Sequence, residues 1–321
     1  MFSPPLAAAG HWLDDLIYTL ASCAPNDSFF GFAPNLRGML ALVLVSLSCG
    51  AVGSLVVGSR MAFFSDALAH CAFASVSIGF GLFVYFAGQP DENFWAYVTP
   101  VMLVFGVCIG FSIAAVRERT GLASDTVIGV FFAAAVGLAA LLRKLMQKRA
   151  LFSLEDFLFG DPMLLRGEEV VHLGLLLVAV GVVLALTYNH LLLYGFSPSL
   201  ALARGAPARL ASYAFVMLLA LVVNLCVRSV GVLLINALLV VPAAAAANVC
   251  RNLRQLFWLT IALCLLASLG GQLTAWHVEV LTGSRLGVPG AVVLFAVALF
   301  VLCSLLGPRW RDRAPAPPAA A

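Results

Sequence analysis

Nine apolar runs, each about twenty residues long, limit what this chain can fold into. A run of that length crosses the hydrocarbon of a bilayer as an α-helix, which satisfies every backbone N–H and C=O within itself. The runs lie at 37–59, 62–87, 95–116, 124–142, 169–194, 211–227, 230–249, 256–277 and 288–306. The seventh holds Asn236 and Pro242, so it reads as a helix open to being broken or partly re-entrant. Residues 10–32 carry Asp14, Asp15, Pro25, Asn26 and Asp27 and are too polar to span. The chain therefore divides into an N-terminal interfacial leader over 1–35, a membrane-spanning domain over 36–307 and a C-terminal tail over 308–321. The tail begins basic, turns to Pro and Ala, and is expected to be disordered. The expected class is an all-α, polytopic integral membrane protein with 8–9 transmembrane helices.

Composition narrows the function. Only 10% of the residues are charged, against roughly 25% in soluble domains. The net charge is +3, and no basic surface is interleaved with aromatics, so nucleic acid is not an expected partner. No G-x-x-x-x-G-K-[ST] occurs, and the chain does not hydrolyse nucleotide by that route. Signatures of metalloproteases, serine hydrolases and dinucleotide enzymes are absent as well. Met1 to Pro5 lacks the positive start and apolar core of a cleavable signal, so the first span is expected to act as its own insertion signal. The eight cysteines form no CxxC pair and read as small apolar packing residues. Arg60, Arg117, Arg119, Arg204, Arg209, Arg251, Arg254, Arg309, Arg311 and Arg313 fall on one side of a nine-span layout, which should be cytoplasmic. Arg143, Lys144, Lys148, Arg149 and Arg166 fall on the other side and run against that bias.

Asp66 and His70 stand out on this background. Their i, i+4 spacing puts both side chains on one helix face. A carboxylate and an imidazole sharing a face make half a site for a divalent transition metal. An Asp near the middle of a span costs about 2.5–3.5 kcal/mol on insertion scales, so its presence asks for a use. The plainer alternative is an intrahelical Asp–His hydrogen bond in a packed core. Cys71 lies about 100° around the helix and points elsewhere. Two ligands fall short of the four or more that such metals take, and an isologous dimer would supply each residue twice. Asn224 and Asn236 read as interhelical hydrogen-bonding groups, and Arg228 as a snorkelling side chain. Small residues crowd the second and fourth runs, including Ala67, Ala69, Gly129, Ala133 and Gly137, and suggest close helix packing.

Four segments carry a family likeness. Residues 60–70 read Arg-Met-Ala-Phe-Phe-Ser-Asp-Ala-Leu-Ala-His, and residues 124–129 read Ser-Asp-Thr-Val-Ile-Gly. Residues 157–161 read Phe-Leu-Phe-Gly-Asp, and residues 230–244 read Val-Gly-Val-Leu-Leu-Ile-Asn-Ala-Leu-Leu-Val-Val-Pro-Ala-Ala. In that order they resemble the permeases of bacterial ATP-binding-cassette importers for zinc, manganese and ferrous iron. Ser65 stands where the family usually has Gly, a small-for-small change.

The resemblance implies a type II importer-like permease in the bacterial inner membrane. It implies a second copy of the chain, two cytoplasmic ATP-binding subunits, an extracytoplasmic metal-binding protein and surrounding lipid as partners. No cofactor is expected to stay bound; the divalent ion passes through, with Asp66 and His70 as its ligands between the two permease copies. Asp125 and Asn236 are secondary pathway candidates, although Asp125 at a helix start also suits capping. Some zinc-type members carry a His a few residues into the fourth span. Phe132-Ala133-Ala134 stands there instead, which leaves manganese or iron open. The segment Ser197 to Ala206 resembles the family's coupling helix, with Ser199, Leu200, Ala203 and Gly205 expected to dock on the ATPase. Ser199 replaces the usual Asp. The rival is an ion-gradient-driven secondary transporter. It predicts inverted repeats and ionisable residues spread over several spans, and neither is evident.

Overall fold

Each of the nine apolar runs forms a helix. The computed structural model describes residues 4–25, 28–58, 61–87, 94–145, 160–196, 208–283 and 286–312. After an N-terminal helix α1 (Pro4–Ser22) come α2 (Ala33–Gly58), α3 (Ala62–Ala87), α4 (Phe94–Thr120) and α5 (Ser124–Leu145). They are followed by α6 (Gly167–Phe196), α7 (Ala208–Val230), α8 (Val232–Val249), α9 (Leu253–Thr282) and α10 (Val288–Asp312). Short 3-10 turns sit at Phe29–Gly31 and Pro162–Leu164. Among the described residues there is no strand, and eight helices are long and apolar enough to cross a membrane. In α5 the apolar stretch is shorter, Asp125–Leu141. The chain is an all-α polytopic membrane protein.

The core is built around α2, which packs against α6, α8 and α9. Glycine on α2 lets the backbones close in, as lipid-embedded helices require. A Cβ on Gly53 would stand 2.5 Å from the Leu239 carbonyl oxygen, and one on Gly50 would stand 2.8 Å from Ile261 Cα. Ser46 Oγ donates to Ser268 Oγ at 2.8 Å inside this interface.

The seventh span is neither broken nor re-entrant: α8 runs unbroken through Pro242. Proline removes the N–H that would bond the carbonyl four residues back, that of Leu238. The thiol of Cys264 on α9 takes that place, donating to the Leu238 carbonyl at 3.3 Å. The interruption falls earlier, at Gly231, whose φ of +86° separates α7 from α8. Gly160, also at positive φ, packs directly on this break, so the third and fourth family segments meet in space.

Two polar readings need correction. Arg228 does not snorkel. Its guanidinium bonds Glu169 of α6 at 2.9 Å and Thr99 of α4, because the first turn of α6 brings a carboxylate within reach. Asn224 makes no bond across helices among the described residues. Its Nδ2 donates to the Ala220 carbonyl of its own helix at 2.8 Å, and its amide fills the space beside Gly106.

The N-terminal segment contributes α1, which is tied to the bundle. Arg37 pairs with Asp14 at 2.7 Å, and the Gly167 N–H donates to Asp14 at 3.3 Å. At the other end α10 runs to Asp312, past the expected domain end at 307. The remaining tail lies outside the described residues, as do Arg60, residues 157–159 and the whole coupling segment with Ser199, Leu200, Ala203 and Gly205.

Candidate functional site

The second turns of α3 and α8 meet at a small polar site. Asp66 is the fifth residue of α3 and Asn236 the fifth of α8. Asp66 thus stands near the start of its helix, not near its middle. Neighbours fix this face. Phe64, Ser65, Ala67, Leu68 and Ala69 are all buried against the bundle. Phe63, Asp66 and His70 are left to point out as a stripe of one i, i+3, i+4 face. The Asp66 side chain is 43% exposed and that of His70 31%.

His70 is held by its own helix. Its Nδ1 lies 2.9 Å from the backbone carbonyl oxygen of Asp66. A carbonyl only accepts, so Nδ1 carries a proton and donates, and Nε2 is the nitrogen left to offer a lone pair whenever the ring is neutral. A ring nitrogen tied to a backbone carbonyl is the arrangement that orients metal-ligating histidines. Phe132 of α5 meets the His70 ring edge to face, with centroids 4.7 Å apart at 66°. Phe132 is therefore an apolar wall of the site.

Asp66 and His70 share a face, but they do not satisfy each other. His70 Nδ1 is 3.6 Å from Asp66 Oδ1, beyond a hydrogen bond. The carboxylate instead accepts from Asn236 Nδ2 at 2.6 Å. The intrahelical Asp–His hydrogen bond considered above is replaced by a bond to the backbone and a bond to another helix. Asn236 was named from the sequence, but nothing in local spacing reveals its partner, 170 residues away.

Other candidates lie apart. Asp125 is exposed in the first turn of α5, and among the described residues no three His, Cys, Asp or Glu side chains come together as a metal cluster. Cys71 is fully buried, away from the Asp66–His70 face. One protomer thus presents a carboxylate, an imidazole and a carboxamide on an open face. These groups make a partial donor set for a divalent cation.

The model of the family described as ABC 3 transport family matches residues 34–307. The chain is 26% identical over 286 residues to the manganese import system permease protein ScaB of Streptococcus parasanguinis, covering 88% of this chain and 93% of ScaB. It is 25% identical over 262 residues to the high-affinity zinc uptake system membrane protein ZnuB of Haemophilus influenzae, covering 82% of this chain and 95% of ZnuB. Its fold resembles that of PsaBC from Streptococcus pneumoniae, solved in complex with Fab. The TM-score is 0.70 and the identity 23%, over 87% of this chain and 94% of that one.

Proposed function

The chain belongs to the ABC 3 transport family, as a permease of bacterial ATP-binding-cassette metal importers of the manganese and zinc type; from that premise we propose that two copies form one pathway, with Asp66 and His70 of each as the ligands of the ion in transit. The protein is a multi-pass component of the inner membrane. The cargo is manganese, zinc or ferrous iron, whose lost water these donors replace partway across.

One observation carries this reading: two preorganised donors lie on an open face of the protomer instead of in its core. The Asp66 side chain is 43% exposed, so this face has room for a cover. The second copy is the cover that doubles the donor set. The neighbouring helix supports it. On α5, Gly129, Ala133 and Gly137 form an exposed small-residue stripe, and Cβ atoms at Gly129 and Gly137 would meet nothing within 4 Å. Such stripes let helices of two subunits approach closely.

Energy comes from a partner. The chain has no P-loop, so two cytoplasmic ATP-binding subunits hydrolyse ATP and drive the alternation of the pathway. Ser199, Leu200, Ala203 and Gly205 form the docking segment for them. An extracytoplasmic metal-binding protein delivers the ion. The leader over 1–35 lies at the membrane interface, supported by the exposed Trp12 and Tyr18 on α1.

Metal uptake into vesicles holding the full transporter tests the site. Asp66→Ala and His70→Ala are each expected to abolish uptake while membrane insertion is retained. Wild-type uptake by either variant at normal levels would overturn the assignment.

A further inference from the structure

Asn236 carries an unpaired atom at the transit site. Its Nδ2 donates to Asp66 Oδ1 at 2.6 Å, while its Oδ1 is buried and has no hydrogen-bond partner among the described residues. A carboxamide holds a donor and an acceptor on one carbon. Beside a bare carboxylate the NH2 end must face inward, since the oxygen would be repelled. Once a dication sits against that carboxylate, the preference reverses: the NH2 is repelled and the oxygen is attracted. The torsion that exchanges the two ends is broad and roughly twofold, so the swap needs no rearrangement of α8.

We propose that Asn236 is a third donor to the transported ion and the residue that biases this permease toward manganese over zinc. The inference rests on Asp66 and His70 being the transit pair. In the empty state the Asn236 amide positions Asp66. In the loaded state its oxygen joins the carboxylate oxygen and His70 Nε2.

The donor count sets the bias. Asp66 and His70 from two copies give two oxygens and two nitrogens, a four-donor set of the kind zinc favours. Adding Asn236 from each copy gives four oxygens and two nitrogens. Six oxygen-rich donors suit a manganese ion, for which carboxylate and carbonyl ligands are the natural partners. Among the described residues nothing softer competes at this face. Phe132 occupies the side where another imidazole would strengthen zinc binding, and Cys71 is buried away from it.

The experiment compares uptake of radiolabelled manganese and zinc, singly and in competition, by the full transporter in vesicles. The chains are wild type, Asn236→Ala, the isosteric Asn236→Leu, and Asn236→Asp, which keeps an oxygen. Asn236→Ala and Asn236→Leu are expected to shift the manganese-to-zinc uptake ratio toward zinc by about tenfold, the lower end of what losing one group around a metal brings. Asn236→Asp is expected to restore the ratio. An unchanged ratio, including equal loss of both metals, would reduce Asn236 to a packing role and overturn the proposal. Failure of Asn236→Asp to restore the ratio would overturn it too. Asp66→Ala run alongside separates the levels. If it transports normally, the transit pair itself falls. If it is inactive while the Asn236 variants keep the wild-type ratio, only the donor role of Asn236 falls.

Discussion

Gly160 and Gly231 meet backbone to backbone. A Cβ on Gly160 would stand 2.6 Å from the Gly231 nitrogen and 2.9 Å from the Val230 carbonyl oxygen. Both residues have positive φ, +52° and +86°. The contact fixes where α8 begins, five residues before Asn236 reaches Asp66.

Gly160→Ala and Gly231→Ala are therefore expected to destabilise the permease. Gly231, at φ +86° and ψ 161°, lies in an extended region reserved almost wholly for glycine, where a Cβ costs about 1–3 kcal/mol; Gly160, at φ +52°, carries a positive-φ cost of about 1–2 kcal/mol and adds a backbone clash. The unfolding midpoint of the detergent-purified complex measures this, with Gly160→Ala the worse of the two. Two wild-type midpoints would show that the contact is not rigid.

The Arg228–Glu169 pair joins α7 to α6 with both side chains largely enclosed, at 18% and 20% exposure. Removing one partner leaves the other charge without its counter-ion, which harms more than removing both. Glu169→Gln and Arg228→Met should each lower the midpoint, and the double variant should recover part of the loss. A coupling energy of about 1–3 kcal/mol is expected from the cycle, and strict additivity would count against a paired role.

Gly129→Leu and Gly137→Leu probe α5 in a way that spares the protomer, since a Cβ at either position meets nothing within 4 Å. The fold should survive while the association of two copies weakens. Light scattering on the purified permease reads this directly. Intact dimers in both variants would move the seam away from α5.

Gly205→Trp tests the docking segment. A bulky side chain there should leave assembly of the membrane domain intact and separate ATP hydrolysis from metal uptake. Coupling at the wild-type ratio of ATP to metal would reject the assignment.

Much of this fold is legible in the sequence because lipid leaves the backbone few options. All nine apolar runs became helices, from Ala33–Gly58 through Val288–Asp312. The shared face of Asp66 and His70 also follows from helical spacing alone. What escapes is tertiary. Pro242 suggests a break, but the thiol of Cys264 takes up the carbonyl that proline leaves free, and helical periodicity carries no trace of that neighbour. Arg228 looks like a residue bound for the headgroups until Glu169, 59 positions away, is folded beside it. Asn236 and Asp66 belong to two of the segments that together carry the family likeness, yet their bond exists only once α8 is laid against α3.

The open face of α3 also bears on how the protein is made. A single copy leaves the Asp66 side chain 43% exposed on this face. If a second copy is the cover, as proposed, completing the fold and pairing the chains are one event, and a chain that has not met its twin keeps an unfinished wall.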